Sequence, residues 1–396
     1  MRICDVTQFY SPVGGGVRRY LHEKQRYISR FTDDEHLLLV PGARTELIRP
    51  HGQERLSICT IAAPSISRTS RYRLLLNLDE AASRIKAYKP DLIECGDPYH
   101  LSWRMISVAR ELGVPIVGFY HSHFPEAYLR TLFKYTSPWL GRLAMAYAQD
   151  YIVRLYNELD QTLVPSVFLK DLLTKWGVVH AVPVRLGIDS EIFYPVDEAK
   201  RLEARASFGW PANRTVLLYI GRLAGEKNTR LLMDAFRMLD ERFRGQFFFV
   251  VIGDGQLRDV VSQTMRRLDA GHWESYCNDS HRLANYYRAA DLFVHPGVHE
   301  TFGLVALETQ ACGTPIAGIR GSYMDAHIAR GLTHWADANS ADALAEAIVR
   351  FTQFDLRRMG QEASEEIRAR YDWKTVFEEL WNVYRFCVGR RSSRAS

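Results

Sequence analysis

The amino-acid sequence predicts an α/β protein built from two doubly wound parallel sheets. Three observations carry this expectation. Short, apolar, β-prone runs alternate with helical stretches through both halves of the chain. Several of those runs end in glycine-bearing turns that open the next helix, as at the βα junctions of a parallel sheet. And 396 residues are too many for one typical core, so two domains are expected.

In chain order, residues 2–9 read as a strand, 16–30 as a helix and 35–40 as a strand. Then come 74–88 (helix), 91–95 (strand), 101–112 (helix), 115–120 (strand) and 161–166, a strand running into a helix start. The second sheet begins with residues 215–220, nearly unbroken in apolar character, and continues with 247–252 and 291–294. A strand expected around Cys277 is poorly marked. Residues 342–388 are helical in pattern, and the tail RRSSRAS reads as disordered.

Hydrophobic residues make up 47% and charged residues 24%, the balance of a soluble globular protein. No run approaches the roughly 20 apolar residues that span a bilayer, and Met1 leads straight into a strand. No secretory signal and a cytoplasmic location are therefore expected. Cys4, Cys59, Cys95, Cys277, Cys312 and Cys387 show no paired spacing, which fits a reduced compartment and no zinc cluster. The net charge of +5 permits an anionic ligand or membrane surface, while nucleic acid is not expected.

The stretch from His295 to Glu308 organises the second half. A strand enters it, and a helix over 304–312, closed by Gly313 and Pro315, leaves it. Glu300 sits in the turn, and Glu308 lies a little over two helical turns further on. Thr301 is placed as the N-cap, so the amides of Phe302, Gly303 and Leu304 point out of the helix start. Gly303 lets a ligand approach the backbone closely. An anion-attracting helix end beside a carboxylate that accepts from hydroxyls suits phosphate plus polyol. Taken alone, the two glutamates also fit a solvated Glu300 and a helix-surface Glu308.

A second such arrangement is Gly221-Arg222-Leu223-Ala224-Gly225-Glu226-Lys227. Arg222 offers a planar fork for a phosphate, Lys227 a mobile point charge and Gly221 clearance. The plain alternative is a group of surface charges. Gly253-Asp254-Gly255 is a further glycine turn after a strand, and turn chemistry alone explains Asp254. There is no DxD at a strand end, so a metal is not expected.

In the first half, Gly14-Gly15-Gly16 follows the first strand and can press against a ligand. It is neither GxGxxG nor a Walker loop. His121 and His123, at a strand's carboxyl end, face the same way. They are structural, a functional pair, or a metal pair with no acidic third ligand nearby. Residues 124–159 interleave aromatics with Arg and Lys, which fits a membrane interface or a core helix pair with one solvated face. Arg68-Thr69-Ser70-Arg71-Tyr72-Arg73 is a second basic cluster, suited to acceptor or membrane.

The phrase HETFGLVALETQACGTPIAG, with seven residues between Glu300 and Glu308, resembles the donor-binding signature of retaining glycosyltransferases of family 4. Their fold is GT-B, two Rossmann-like domains facing across a cleft. GRLAGEK is similar to the family's GRLxxEK segment. YHSHFP resembles the YHTHxP segment of lipid-directed members, such as those making sulfoquinovosyl- and glucosyl-diacylglycerol. The resemblance implies an acceptor-side domain over 1–190, a nucleotide-sugar domain over 191–370, a helix over 371–390 crossing back, and a disordered 391–396. It places Gly15, Gly16 and Gly221 near the donor diphosphate, held by Arg222 and Lys227. Asp254 lies near the nucleotide. Glu300 with Thr301, Phe302, Gly303 and Leu304 contacts sugar and phosphate, and Glu308 bonds the ribose. His121 lines the acceptor side beside the reacting sugar, with His123 the other candidate.

The implied reaction moves a hexose from a UDP- or GDP-linked donor to an acceptor hydroxyl, of a lipid or other glycoconjugate precursor, with retention by same-face attack. No metal or other cofactor is implied; the nucleotide sugar is a co-substrate. Where the family often has Gly-Gly-x-Pro-Glu, this chain has Gly321-Ser322-Tyr323-Met324-Asp325, in which Gly321 and Ser322 still offer amides. Two rivals share the architecture: a sugar-nucleotide epimerase, and a catalytically idle donor-binding partner in a membrane assembly.

Overall fold

The computed structural model describes residues 1–10, 16–66, 72–120, 138–298, 300 and 302–395. Gly15, His121, His123 and Thr301 lie outside the described residues, as does most of the basic cluster around Arg68. The chain divides into two compact units, Met1–Leu186 with Trp373–Ser396, and Gly187–Asp372.

The first unit holds β1 (Arg2–Val6), β2 (Glu35–Gly42), β3 (Glu46–Ile48), β4 (Leu56–Ala62), β5 (Leu92–Cys95), β6 (Ile116–Phe119), β7 (Gln161–Val164) and β8 (Ala181–Pro183). They form one sheet in the order β3-β4-β2-β1-β5-β6-β7-β8. All neighbours are parallel except β3 on β4. Its central strands are buried on both faces, which is why they read as apolar runs.

The helix Gly16–Phe31 buries Tyr20, Leu21, Lys24, Tyr27 and Ile28 at helical spacing. Lys24 on that face is fully buried. Its ammonium donates to Asp5 of β1 at 2.9 and 2.8 Å, to Glu94 of β5 at 3.0 Å and to the Tyr384 hydroxyl at 2.8 Å. The Tyr384 hydroxyl donates in turn to Glu94, and His36 Nε2 lies 2.9 Å from Asp5. Burial pushes the Asp5 carboxyl up, but Lys24 and His36 outweigh it and hold it below its ordinary value. At Glu94 burial wins, aided by the Asp5 charge, and the pKa is raised.

Tyr384 belongs to the last helix, Trp373–Ala395, whose buried stripe runs through Val376, Phe377, Leu380, Trp381, Tyr384 and Cys387. The tail expected to be disordered is helical as far as Ala395. No proline interrupts it, and Arg391 donates to Asp160 at 3.3 Å, tying the last turn to the unit's surface.

The second unit holds β9 (Thr215–Ile220), β10 (Phe247–Ile252), β11 (Gly271–Glu274), β12 (Leu292–His295) and β13 (Ile316–Gly318), all parallel, in the order β11-β10-β9-β12-β13. The poorly marked strand is β11, a few residues before Cys277. It sits at the sheet edge, pairing among the described residues with β10 alone and half-exposed, so its sequence lacks the apolar run of a central strand. Asp291, at the entry of β12, takes hydrogen bonds from Arg201, Arg205 and Arg357 at 3.1, 2.6 and 2.8 Å, and from the Val216 amide at 2.8 Å. The amide bond ties the foot of β12 to β9.

A Lys24→Met variant leaves two buried carboxylates without their cation. It is expected to lose about 3–5 kcal/mol of unfolding free energy, read as a lower urea midpoint; an unchanged midpoint would contradict the staple assigned to Lys24.

Candidate active site

In the second unit β9 and β12 are neighbours, but the chain leaves them toward opposite edges of the sheet. Ligands of such sheets bind in the crevice outside the carboxyl ends at this switch of direction. The two loops that leave β9 and β12 there carry Arg222, Lys227 and Glu300.

Beyond β9, the Gly221 amide donates to Ile252 O at 3.0 Å, and a Cβ on Gly221 would lie 2.7 Å from the Tyr219 hydroxyl. That hydroxyl donates to Arg222 O at 3.1 Å, pinning the backbone. The loop also packs on the turn after β10. A Cβ on Gly253 would sit 1.9 Å from Gly221 O, and both Gly253 and Gly255 have positive φ, +156° and +157°. Only glycine fits that approach. Asp254 bonds the Gly255 amide at 2.8 Å, and its carbonyl holds the Leu223 amide at 3.0 Å; these are turn contacts.

Arg222 is 69% exposed, with Glu226 at 3.6 Å. Further on, Asn228 adopts a left-handed conformation (φ 54°) and donates to Pro296 O at 2.8 Å, fastening the β9 loop to the β12 loop. The Lys227 ammonium pairs with the Glu300 carboxylate, both about a quarter exposed. Burial pushes the Glu300 carboxyl up, but Lys227, with His295 and Arg222 adding, holds it below its ordinary value. Glu300 is therefore anionic at neutral pH.

His295, the last residue of β12, is buried beside the Trp335 ring, centroids 6.4 Å apart and planes 13° from parallel. Burial lowers its pKa to about 4, against the pull of Glu300. It is a neutral imidazole at the floor of the site.

The helix start differs from expectation. The helix is Leu304–Ala311, and its N-cap is Gly303, in the left-handed region at φ 76°, not Thr301. A cap with positive φ calls for glycine, and the backbone here decides the cap before any side chain does. A Cβ on Gly303 would also strike Met324 at 2.3 Å. The first helical amides are thus those of Leu304 and Val305, while Phe302 is buried with its ring 4.4 Å from that of His327. Glu308 is only 2% exposed and accepts from the Tyr287 hydroxyl at 3.0 Å, so it is not a solvated helix-surface residue.

In the segment where the chain departs from the family pattern, the Gly321 amide is taken by Asp325 Oδ2 at 2.8 Å, and Ser322 Oγ donates to Asp325 Oδ1 at 2.9 Å. The Gly321 amide is therefore engaged within its own turn. Gly16 opens the first helix of the first unit and is exposed. Among the described residues no group of three or more His, Cys, Asp or Glu side chains could hold a metal. Sequence reading missed His295, Asn228 and Met324. Asn228 carried a signal, an asparagine after a tight turn; the other two are defined by neighbours distant in sequence.

The profile of the glycosyl transferases group 1 matches residues 200–366, and that of Glycosyltransferase Family 4 matches residues 14–192. Over 360 residues the chain is 30% identical to a GDP-mannose-dependent alpha-(1-6)-phosphatidylinositol dimannoside mannosyltransferase of Mycobacterium tuberculosis, covering 88% of this chain and 87% of that protein. It is 29% identical to the sulfoquinovosyl transferase SQD2 of Arabidopsis thaliana, over 76% of this chain and 57% of that protein. The solved structure of a sucrose-phosphate synthase from Thermosynechococcus elongatus superposes with a TM-score of 0.78 at 19% identity, covering 98% of this chain and 100% of that chain, which shows a shared GT-B fold. The two profiles fall one on each sheet, and the mycobacterial relative is matched over most of its length: the chain belongs to glycosyltransferase family 4.

Proposed function

We propose that the protein transfers a hexose, with retention, from a nucleotide diphosphate sugar to a hydroxyl of a lipid or glycolipid acceptor. The observation that carries this reading is the Lys227–Glu300 pair, which joins the carboxyl ends of β9 and β12 at the switch point. An ammonium has three donors, so Lys227 can hold Glu300 and a phosphate oxygen together. Arg222, largely exposed beside it, supplies a second, planar cation. As the bond between the sugar's anomeric carbon and the phosphate oxygen breaks, negative charge gathers on the diphosphate, and these two cations stabilise it. They take the place a metal fills elsewhere, so we propose a metal-independent reaction.

Glu300, kept anionic by Lys227, accepts hydrogen bonds from the donor sugar's hydroxyls. The Leu304 end of the helix faces phosphate or sugar oxygens, and Glu308 is assigned to the ribose. The acceptor oxygen bonds the anomeric carbon on the face the phosphate leaves, and its proton passes to the departing phosphate oxygen. His121, with His123 as the other candidate, is assigned to the acceptor side on family resemblance. The mycobacterial relative uses GDP-mannose and a phosphatidylinositol dimannoside, which makes these the first donor and acceptor to try.

Membrane attachment fits the helix Pro138–Asn157. Trp139, Leu143 and Tyr147 stand exposed at four-residue intervals, with Leu140 beside them, while Ala148, Ile152, Leu155 and Tyr156 are buried. One side packs on the unit and the other presents large apolar groups to the outside, as in a helix lying in a lipid headgroup layer. Among the described residues no helix is long and apolar enough to cross a membrane. We propose peripheral attachment to an anionic lipid surface.

Arg222→Ala and Lys227→Ala are each expected to lower kcat/KM by about 10²–10³-fold with an unchanged circular dichroism spectrum; near-normal rates in both would refute their roles. Lys227→Met removes the strongest interaction lowering the Glu300 pKa, leaving burial to dominate. The carboxyl pKa then rises, and the acid limb of the residual pH–rate profile moves to higher pH; an unmoved limb would separate Glu300 ionisation from turnover. Transfer is expected to survive exhaustive EDTA treatment, and a loss restored by Mg²⁺ or Mn²⁺ would overturn the metal-independent reading. Flotation with phosphatidylglycerol-containing vesicles should fall in Trp139→Glu/Leu143→Glu and weaken with salt; equal flotation of the double variant would remove this helix from the membrane contact.

A further inference from the structure

The chain enters the second unit at Gly187 and leaves it at Asp372. Entry and exit are bonded to each other. The Ile188 amide donates to Tyr371 O at 2.7 Å, Ile188 and Asp372 form a parallel bridge, and Ser190 Oγ donates to the Asp372 carboxylate. Tyr371 is also engaged through its side chain. Its hydroxyl lies 2.9 Å from His327 Nδ1, and the two rings meet edge to face, centroids 5.6 Å apart and planes at 89°. The His327 ring packs in turn on Phe302, centroids 4.4 Å apart. Phe302 precedes Gly303, the N-cap of the helix Leu304–Ala311. Tyr371, His327 and Phe302 are only 2%, 5% and 4% exposed, so a line of buried rings joins the unit's entry to the turn that opens this helix.

His327 is fastened to the same helix through its backbone. Gln310 Nε2 donates to His327 O at 3.0 Å, and Gln310 Oε1 accepts from the Ala329 amide at 2.8 Å. Met324, in the same segment, presses on Gly303, where an added Cβ would strike its side chain. Any ring at position 327 would pack on Phe302, but packing is non-directional, whereas a hydrogen bond weakens steeply with length and angle. The Tyr371 hydroxyl can donate or accept, so it complements Nδ1 in either imidazole tautomer. A displacement of Phe302 therefore costs more than a packing contact: it draws His327 off Tyr371 and breaks a buried bond.

We propose that His327 is a positioning residue, which fixes the Phe302–Gly303 turn against Tyr371 and so couples that turn to the paired entry and exit of the unit. The transfer reading above enters only in what the turn binds; the coupling itself is tested in the free protein. Amide hydrogen exchange on the full chain reads it, on peptides covering residues 302–307 and 186–192. Tyr371→Phe removes one oxygen and keeps the ring and the backbone bond to Ile188. It is expected to speed exchange over 302–307 about tenfold, the loss of one buried hydrogen bond. His327→Phe keeps the packing and loses the same bond, so it should give the same acceleration, and the double variant no more than either alone. In the other direction, Phe302→Leu is expected to speed exchange over 186–192, and not to do so in the Tyr371→Phe background. Unchanged exchange over 302–307 in Tyr371→Phe, single effects that add in the double variant, or unchanged exchange over 186–192 in Phe302→Leu overturns the coupling. Should Tyr371→Phe fail to fold, exchange over 302–307 in His327→Phe decides. With GDP-mannose as donor, both variants should lower kcat about tenfold and leave KM within about threefold; normal kcat in a variant whose exchange is accelerated refutes the positioning role. Coupled exchange without turnover of any nucleotide sugar would count against the transfer reading and leave the coupling standing.

Discussion

One ion pair sets the geometry of the second unit's site. Lys227 and Glu300 come from loops that leave adjacent strands in opposite directions, and nothing in the chain's order brings them together except the sheet. A pair this exposed contributes little to stability, roughly 0–1 kcal/mol by analogy with surface pairs. Its consequence is positional. The ammonium keeps the acid ionised against burial, and the acid keeps the ammonium from swinging into solvent. The supporting shell has the same character: Asn228 bonds the backbone of the facing loop, and the Gly221 and Gly253 backbones touch with no room for a side chain. Two loops otherwise free to drift are locked by contacts that leave charged groups directed outward.

Much of this was legible in the sequence, and the failures have physical reasons. The central strands were readable because burial on both faces makes them continuous apolar runs. The edge strand Gly271–Glu274 was not, since half its surface meets solvent and its pattern dissolves. The tail was misread from composition: Arg and Ser after Gly389 suggest disorder, while the amphipathic stripe of the helix before it carries the chain on to Ala395. In the loops after β9 and β12, residue chemistry singled out Arg222, Lys227 and Glu300; the structure pairs Lys227 with Glu300 and puts Arg222 near enough to lower the Glu300 pKa. It gave the wrong cap, because side-chain preference selects Thr301 whereas the backbone turns at Gly303. Burial of Glu308 under Tyr287 and of His295 beside Trp335 depends on partners 21 and 40 positions away, beyond any local pattern.

The two units use the same topological device with opposite electrostatics. In the second, cations sit at the carboxyl ends of the strands and a single acid is neutralised by one of them, which suits a pyrophosphate with a hydroxylated sugar attached. In the first, the strand ends hold Asp97 and Gln8, whose Oδ1 and Oε1 have no hydrogen-bond partner among the described residues.

The buried network of the first unit explains how such a crevice is kept in register. Asp5 and Glu94 are paired positions on β1 and β5, and Lys24 bridges them from above. Three residues beyond each of them, past the strand ends, lie Gln8 and Asp97, where the Gly96 amide still crosses to Val6 O and the Gln8 amide to Asp97. A sheet in which these two strands could slide by one residue would turn their side chains to the other face. The charged staple forbids that slip more strictly than apolar packing would, since a displaced Lys24 leaves two carboxylates buried without a counter-charge. Tyr384 closes the network from the last helix, donating to Glu94 while accepting from Lys24. The final helix of the chain thus helps hold the register on which the placement of Gln8 and Asp97 depends, which gives a reason for a polar core where a hydrophobic one would fold as well.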